Sequence, residues 1–120
     1  MAKISPEHVS YVNAHGTGTG NNDASESAAF LRVFGEKMPS FSSTKAFTGH
    51  TLAAAGGIEA VFSVMAIKNN CLFPNLNFSN PIPEYGLRPI VGYEENVSVD
   101  SVLTNSFGFG GNCSSLLFTR

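Results

Sequence analysis

The chain has 120 residues, 42% of them apolar, which suffices for one packed domain and excludes a disordered or collagen-like polypeptide. Charged side chains reach only 13%, against roughly 25% in average soluble domains, so much of the surface is expected to be covered in use. A formal net charge of -2 without a Lys/Arg cluster excludes a nucleic-acid footprint and a polybasic membrane patch.

The opening Met1-Ala2-Lys3-Ile4-Ser5-Pro6 holds no apolar run of signal-peptide length. No later segment reads as the roughly 20 apolar residues of a membrane span, so a cytoplasmic protein is expected. Val9-Ser10-Tyr11-Val12-Asn13-Ala14 alternates apolar and polar side chains as a strand does, then breaks into His15-Gly16-Thr17-Gly18-Thr19-Gly20, a flexible turn. Asp23 and Glu26 have capping-box spacing, so a helix is expected from there to Phe34, closed by Gly35 in a left-handed conformation. After Pro39, residues 41–45 read as a second strand, and Thr48-Gly49-His50-Thr51 as the turn leaving it.

Residues 52–69 carry Ile58, Val61, Phe62, Met65 and Ala66 at helical spacing behind a small-residue start, Ala53-Ala54-Ala55-Gly56-Gly57. This predicts a buried helix whose glycines, costing about 1 kcal/mol each against alanine, have a packing reason. Residues 73–92, with Pro74, Pro81, Pro83 and Pro89 among Asn75, Asn77, Asn80 and Gly86, predict a long irregular connection. Residues 97–105 and 114–119 then read as paired strands around Phe107-Gly108-Phe109-Gly110-Gly111. The order predicts one α/β unit with a mostly parallel mixed sheet, packed helices and a C-terminal strand pair, its functional groups leaving the carboxyl ends of strands. Cys71 and Cys113 stand far apart and outside any C-x-x-C pattern, so neither a disulfide nor a zinc site is expected.

Four motifs in series carry chemistry: Asn13-Ala14-His15-Gly16-Thr17-Gly18-Thr19, Ser43-Thr44-Lys45, Gly49-His50-Thr51-Leu52-Ala53-Ala54-Ala55-Gly56, and Asn105-Ser106-Phe107-Gly108-Phe109-Gly110-Gly111-Asn112. The glycine-rich turn is not a phosphate loop, because it lacks the Gly-Lys-Ser/Thr ending. Together the motifs resemble the C-terminal half of the elongating β-ketoacyl-acyl carrier protein synthases of fatty-acid and polyketide synthesis. The resemblance runs from about Ser5 to Arg120, and it implies that residues 1–120 form one half of the thiolase-like layered fold.

The same resemblance implies a decarboxylating Claisen condensation. His15 and His50 match the two histidines that donate to the developing enolate oxygen, and Lys45 the lysine that sets their charge and orientation. Thr17 and Thr19 match threonines on the pantetheine arm. Phe107, Gly108 and Phe109 match the hinged acyl gate, with Phe109 as the plug. Glu59 matches a supporting glutamate behind the second histidine. No metal or organic cofactor is implied. The implied partners are acyl carrier protein bearing acyl or malonyl phosphopantetheine, a first half that holds the nucleophilic cysteine, and a second subunit in a homodimer. Neither Cys71 nor Cys113 stands in the nucleophile's setting, so the chain is expected to be a truncation that does not condense alone. The alternative is a non-catalytic module that binds acyl carrier protein or acts like a chain-length factor.

Overall fold

A computed structural model describes residues 2–120. Its centre is β1 (Tyr11–Asn13), where Tyr11, Val12 and Asn13 are fully buried. A strand sealed on both faces must be flanked by helices on both, and it is. α1 (Gly20–Phe34) follows β1 and returns the chain to β2 (Ser40–Ser42), which pairs parallel to β1. A single helical turn, α2 (Lys45–Thr48), and a 3-10 turn (Leu52–Ala54) then lead into α3 (Ala55–Asn69). Beyond α3, the two-residue strands β3 (Cys71–Leu72) and β4 (Glu94–Glu95) pair antiparallel and bracket the irregular connection expected between them. β5 (Ser101–Phe107) runs parallel to β1 on its other edge, and β6 (Cys113–Thr119) returns antiparallel to β5. The main sheet has the order β2-β1-β5-β6, mostly parallel with a C-terminal antiparallel pair.

Side-chain alternation along β1 sorts the core into two halves. Tyr11 joins Ala66, Ile67, Leu72, Val99 and Val102 on the α3 side, while Val12 and Ala14 join Phe30 and Phe34 on the α1 side. Each fully buried side chain of this size contributes roughly 1.5–3 kcal/mol, so both faces hold β1 in place. The same alternation sends Asn13 toward α3, where its Nδ2 donates to the Glu59 carbonyl. It thereby decides on which side the chemistry after β1 collects.

Several boundaries differ from the sequence expectation. Strand β2 stops at Ser42, since Thr44 is already helical (φ -78°, ψ -4°) and its carbonyl accepts the Phe47 N–H at 3.0 Å. α1 begins at Gly20, behind Thr19, and its carboxylates form no capping box. Gly35 ends the helix with φ 57° but ψ -131°, so the positive φ was legible and the left-handed helical ψ was not adopted.

The helix over 55–69 exists, but the expected stripe is split: Val61 is 60% and Met65 42% exposed, Ile58 and Phe62 are half-buried, and Ala66 is buried. The buried face is Ala55, Glu59, Ser63, Ala66 and Ile67. Apolar spacing misled because the packed face carries polar atoms that find partners there, as when Ser63 Oγ donates to the Glu59 carbonyl at 2.7 Å. Of the two glycines, only Gly56 has a neighbour close enough to need it, since a Cβ there would lie 3.1 Å from Ser106 Oγ. By length and composition Leu52–Asn69 is long and apolar enough to cross a membrane. Its buried Glu59 and its packing against β5 fit a core helix.

Candidate active site

His15 leaves the carboxyl end of β1, and the turn behind it is held from three directions. Glu26, on the second turn of α1 and 4% exposed, accepts the His15 N–H through Oε1 and the Gly16 N–H through Oε2, both at 2.9 Å. Burial pushes the Glu26 carboxyl above its ordinary value, against the pull of those two donors. Ser43 Oγ, just beyond β2, donates to the Gly16 carbonyl at 3.1 Å. Gly16 itself sits at φ 43°, where a Cβ would lie 2.4 Å from Ser43 Cβ. Asp23 accepts the Gly18 N–H at 3.3 Å. The two acidic residues expected to cap α1 thus anchor the histidine turn. Nothing in their spacing distinguished the roles until the helix start moved to Gly20.

Lys45 opens α2 and lies buried at 8% exposure. Its ammonium forms an ion pair with the buried Glu59 carboxylate of α3 and lies 3.2 Å from His15 Nδ1. An ammonium has donors and no acceptor, so Nδ1 accepts and the His15 proton sits on Nε2. Burial first, then the Lys45 charge and His50, hold the His15 imidazole down to about 4, and it is neutral at pH 7. Burial raises the Glu59 carboxyl, opposed by Lys45. Glu59 Oε2 has no partner among the described residues, a cost of about 1–3 kcal/mol that packing alone does not require. Glu59, which the resemblance set behind His50, accepts a hydrogen bond from Lys45, and His50 also acts on its carboxyl through charge.

His50 follows α2 on an exposed turn, and its Nδ1 accepts the Leu52 N–H at 3.2 Å. That backbone donor also fixes the Nε2–H tautomer. The two imidazoles meet edge to face with centroids 5.4 Å apart at 89°. Two N–H donors that share one oxygen, each about 2.7–3.1 Å from it, lie within roughly 6 Å of each other. The 5.4 Å between the ring centroids is of that scale.

Phe107, at the end of β5, lies 5.6 Å from the His15 ring at 62°. Gly108 is extended (φ -110°, ψ 158°), and a Cβ there would come within 3.2 Å of the Asn112 carbonyl that accepts its N–H. Phe109 stands fully in solvent. Thr17 and Thr19 share a hydroxyl hydrogen bond of 2.9 Å on the exposed turn beyond His15. Cys71 is buried after α3, and Cys113 is exposed on β6 opposite Phe107 in register. Among the described residues no three His, Cys, Asp or Glu side chains group as metal ligands. The structure therefore gathers His15, His50, Lys45, Glu59 and Phe107, while Thr17 and Thr19 bond each other and Phe109 is exposed to solvent.

Residues 1–79 match the family described as Beta-ketoacyl synthase, C-terminal domain. A 3-oxoacyl-[acyl-carrier-protein] synthase 2 from Synechocystis sp. is 45% identical over 119 residues, which is 98% of this chain and 29% of the relative. The crystal structure of a beta-ketoacyl synthase from Burkholderia phymatum superposes with a TM-score of 0.91 at 42% identity, covering 99% of this chain and 29% of that one. A type II polyketide ketosynthase, solved in complex with its acyl-carrier protein, gives a TM-score of 0.87 at 36% identity over 98% of this chain and 29% of that one. The likeness bears out the expected thiolase-like architecture, and the chain spans less than a third of the length of these relatives.

Proposed function

This chain belongs to the β-ketoacyl synthase family, as its C-terminal domain, and from that premise we propose that it supplies the enolate-stabilising side of a cytoplasmic decarboxylating condensing enzyme. The observation that carries the reading is the facing pair of imidazoles, each with Nδ1 occupied and Nε2–H free. In the proposed reaction the carbon–carbon bond to the malonyl carboxylate breaks and CO2 leaves. The electron pair passes to the thioester carbonyl, whose oxygen becomes the anion held by His15 and His50. The enolate carbon then attacks an acyl thioester on a cysteine, and the thiolate departs.

That cysteine is assigned to a first half outside these residues, which the exposed apolar face of α3 would contact. Thr17 and Thr19 are assigned to the pantetheine arm of acyl carrier protein, and Phe107 to Phe109 to the gate over the acyl chain. The complete enzyme is assigned as a homodimer. Preorganised donors of this kind contribute a factor of about 10²–10³ each to rate.

The test is CO2 release from malonyl carrier protein by the chain combined with its cysteine-bearing half. His15→Ala and His50→Ala are each expected to slow it by about 10²–10³, while acyl transfer to the cysteine survives His15→Ala. Release at the parent rate in either variant overturns the reading.

A further inference from the structure

The Lys45–His15 contact is set by the main chain around Ser43. Lys45 is two residues downstream of it, and its N–H donates to Ser43 Oγ at 3.3 Å. That hydroxyl donates in turn to the Gly16 carbonyl at 3.1 Å, with the His15 carbonyl at 3.5 Å. Both partners of the pair thus hang from one serine. Yet β2 ends at Ser42, so the Ser43 N–H has no strand partner, and an unpaired buried N–H costs about 1–3 kcal/mol. Asn75 Oδ1 fills the gap at 2.9 Å.

Asn75 lies in the irregular connection after β3, and its amide is itself oriented. Its N–H donates to the Ile90 carbonyl at 2.7 Å, and its Nδ2 to the Leu76 carbonyl at 3.2 Å, which turns Oδ1 toward Ser43. The Ile90 N–H donates to the Phe41 carbonyl of β2 at 3.0 Å, clamping both sides of the connection to the strand. A loop remote in sequence from both histidine motifs therefore ends on the atom from which the pair is suspended.

We infer that Asn75 is a positioning residue: by fixing the Ser43 main chain it holds Lys45 against His15 Nδ1 and so keeps the His15 proton on Nε2. The inference rests on the role proposed above for that pair. The test is ring-nitrogen NMR of His15 in the 120-residue chain, comparing Asn75→Leu, Asn75→Asp and Lys45→Met. Asn75→Leu removes the acceptor, so His15 is expected to populate both tautomers and to titrate above its parent value of about 4. Lys45, His50 and Asp23 are the charged or titratable groups acting on that ring, and only the placement of Lys45 changes. Asn75→Asp keeps the acceptor and is expected to retain the Nε2–H tautomer.

Should Asn75→Leu unfold, Asn75→Ala removes the same acceptor without bulk and carries the same expectation. A folded Leu or Ala variant with an unaltered His15 tautomer, alongside a Lys45→Met variant that mixes tautomers, overturns the role of Asn75 alone. An unaltered tautomer in Lys45→Met overturns the lysine–histidine reading itself. Mixed tautomers in Asn75→Asp count against the acceptor role.

Discussion

Gly16 and Gly18 flank Thr17 in the histidine turn and form an internal comparison. Both have positive φ, 43° and 73°, so an alanine at either meets the left-handed penalty of roughly 1–2 kcal/mol. They differ in what surrounds them. A Cβ on Gly18 meets nothing within 4 Å, whereas one on Gly16 lies 2.4 Å from Ser43 Cβ and 2.8 Å from its hydroxyl. Both contacts are shorter than non-bonded atoms tolerate, and Ser43 cannot retreat without releasing the Gly16 carbonyl and Asn75. Overpacking of this kind costs typically 1–3 kcal/mol, so Gly16→Ala is expected to destabilise the chain by about 2–5 kcal/mol and Gly18→Ala by about 1–2 kcal/mol. Urea unfolding followed by circular dichroism measures both, given matching m-values. Equal losses for the two variants would refute the close packing of the turn on Ser43.

His15 should also leave a signature in the pH dependence of stability. Its imidazole is held to about 4 when folded and returns to about 6.5 when unfolded, so between these values the unfolded chain binds more protons and stability falls as pH drops. Glu26 and Glu59, raised by burial, have the opposite effect, so the parent is compared with His15→Gln. Stability of the parent is expected to fall by about 3 kcal/mol more than that of the variant between pH 7 and 4; parallel profiles in urea titrations would refute the buried neutral ring. The outward face of α3 exposes Val61, Val64 and Met65, so the isolated chain is expected to self-associate at micromolar concentration and Val61→Lys/Met65→Lys to dissociate it. A monomeric parent in sedimentation velocity contradicts that expectation.

What the sequence made legible was local. Alternation identified β1, the Gly-rich turns marked the ends of β1 and β5, and the proline-rich connection contains no inserted helix. His15 was placed at the carboxyl end of β1 by the same reasoning, whereas His50, expected to leave the second strand, follows α2. What it hid depends on partners distant along the chain. Glu26 looked like a cap because its true acceptor role, for N–H groups ten and eleven residues earlier, exists only once α1 folds back on the end of β1. α3 buries Glu59 and Ser63 while Val61 and Met65 face out, and partners remote in sequence from Glu59, Asn13 on its carbonyl and Lys45 on its carboxylate, accompany that burial. Lys45 read as a strand end, and a single helical turn is too short to show a period of its own. Asn75 was indistinguishable from the other asparagines of its loop.

Ring-nitrogen NMR of His15 and His50 above pH 7, combined with through-space proton contacts between the two rings, tests the site most directly. The account expects both rings to carry the proton on Nε2, with Nδ1 bare, and a cross-ring contact consistent with centroids 5.4 Å apart. A proton on Nδ1 of either ring, or the absence of contact between them, would mean that the two imidazoles do not present paired donors to one oxygen.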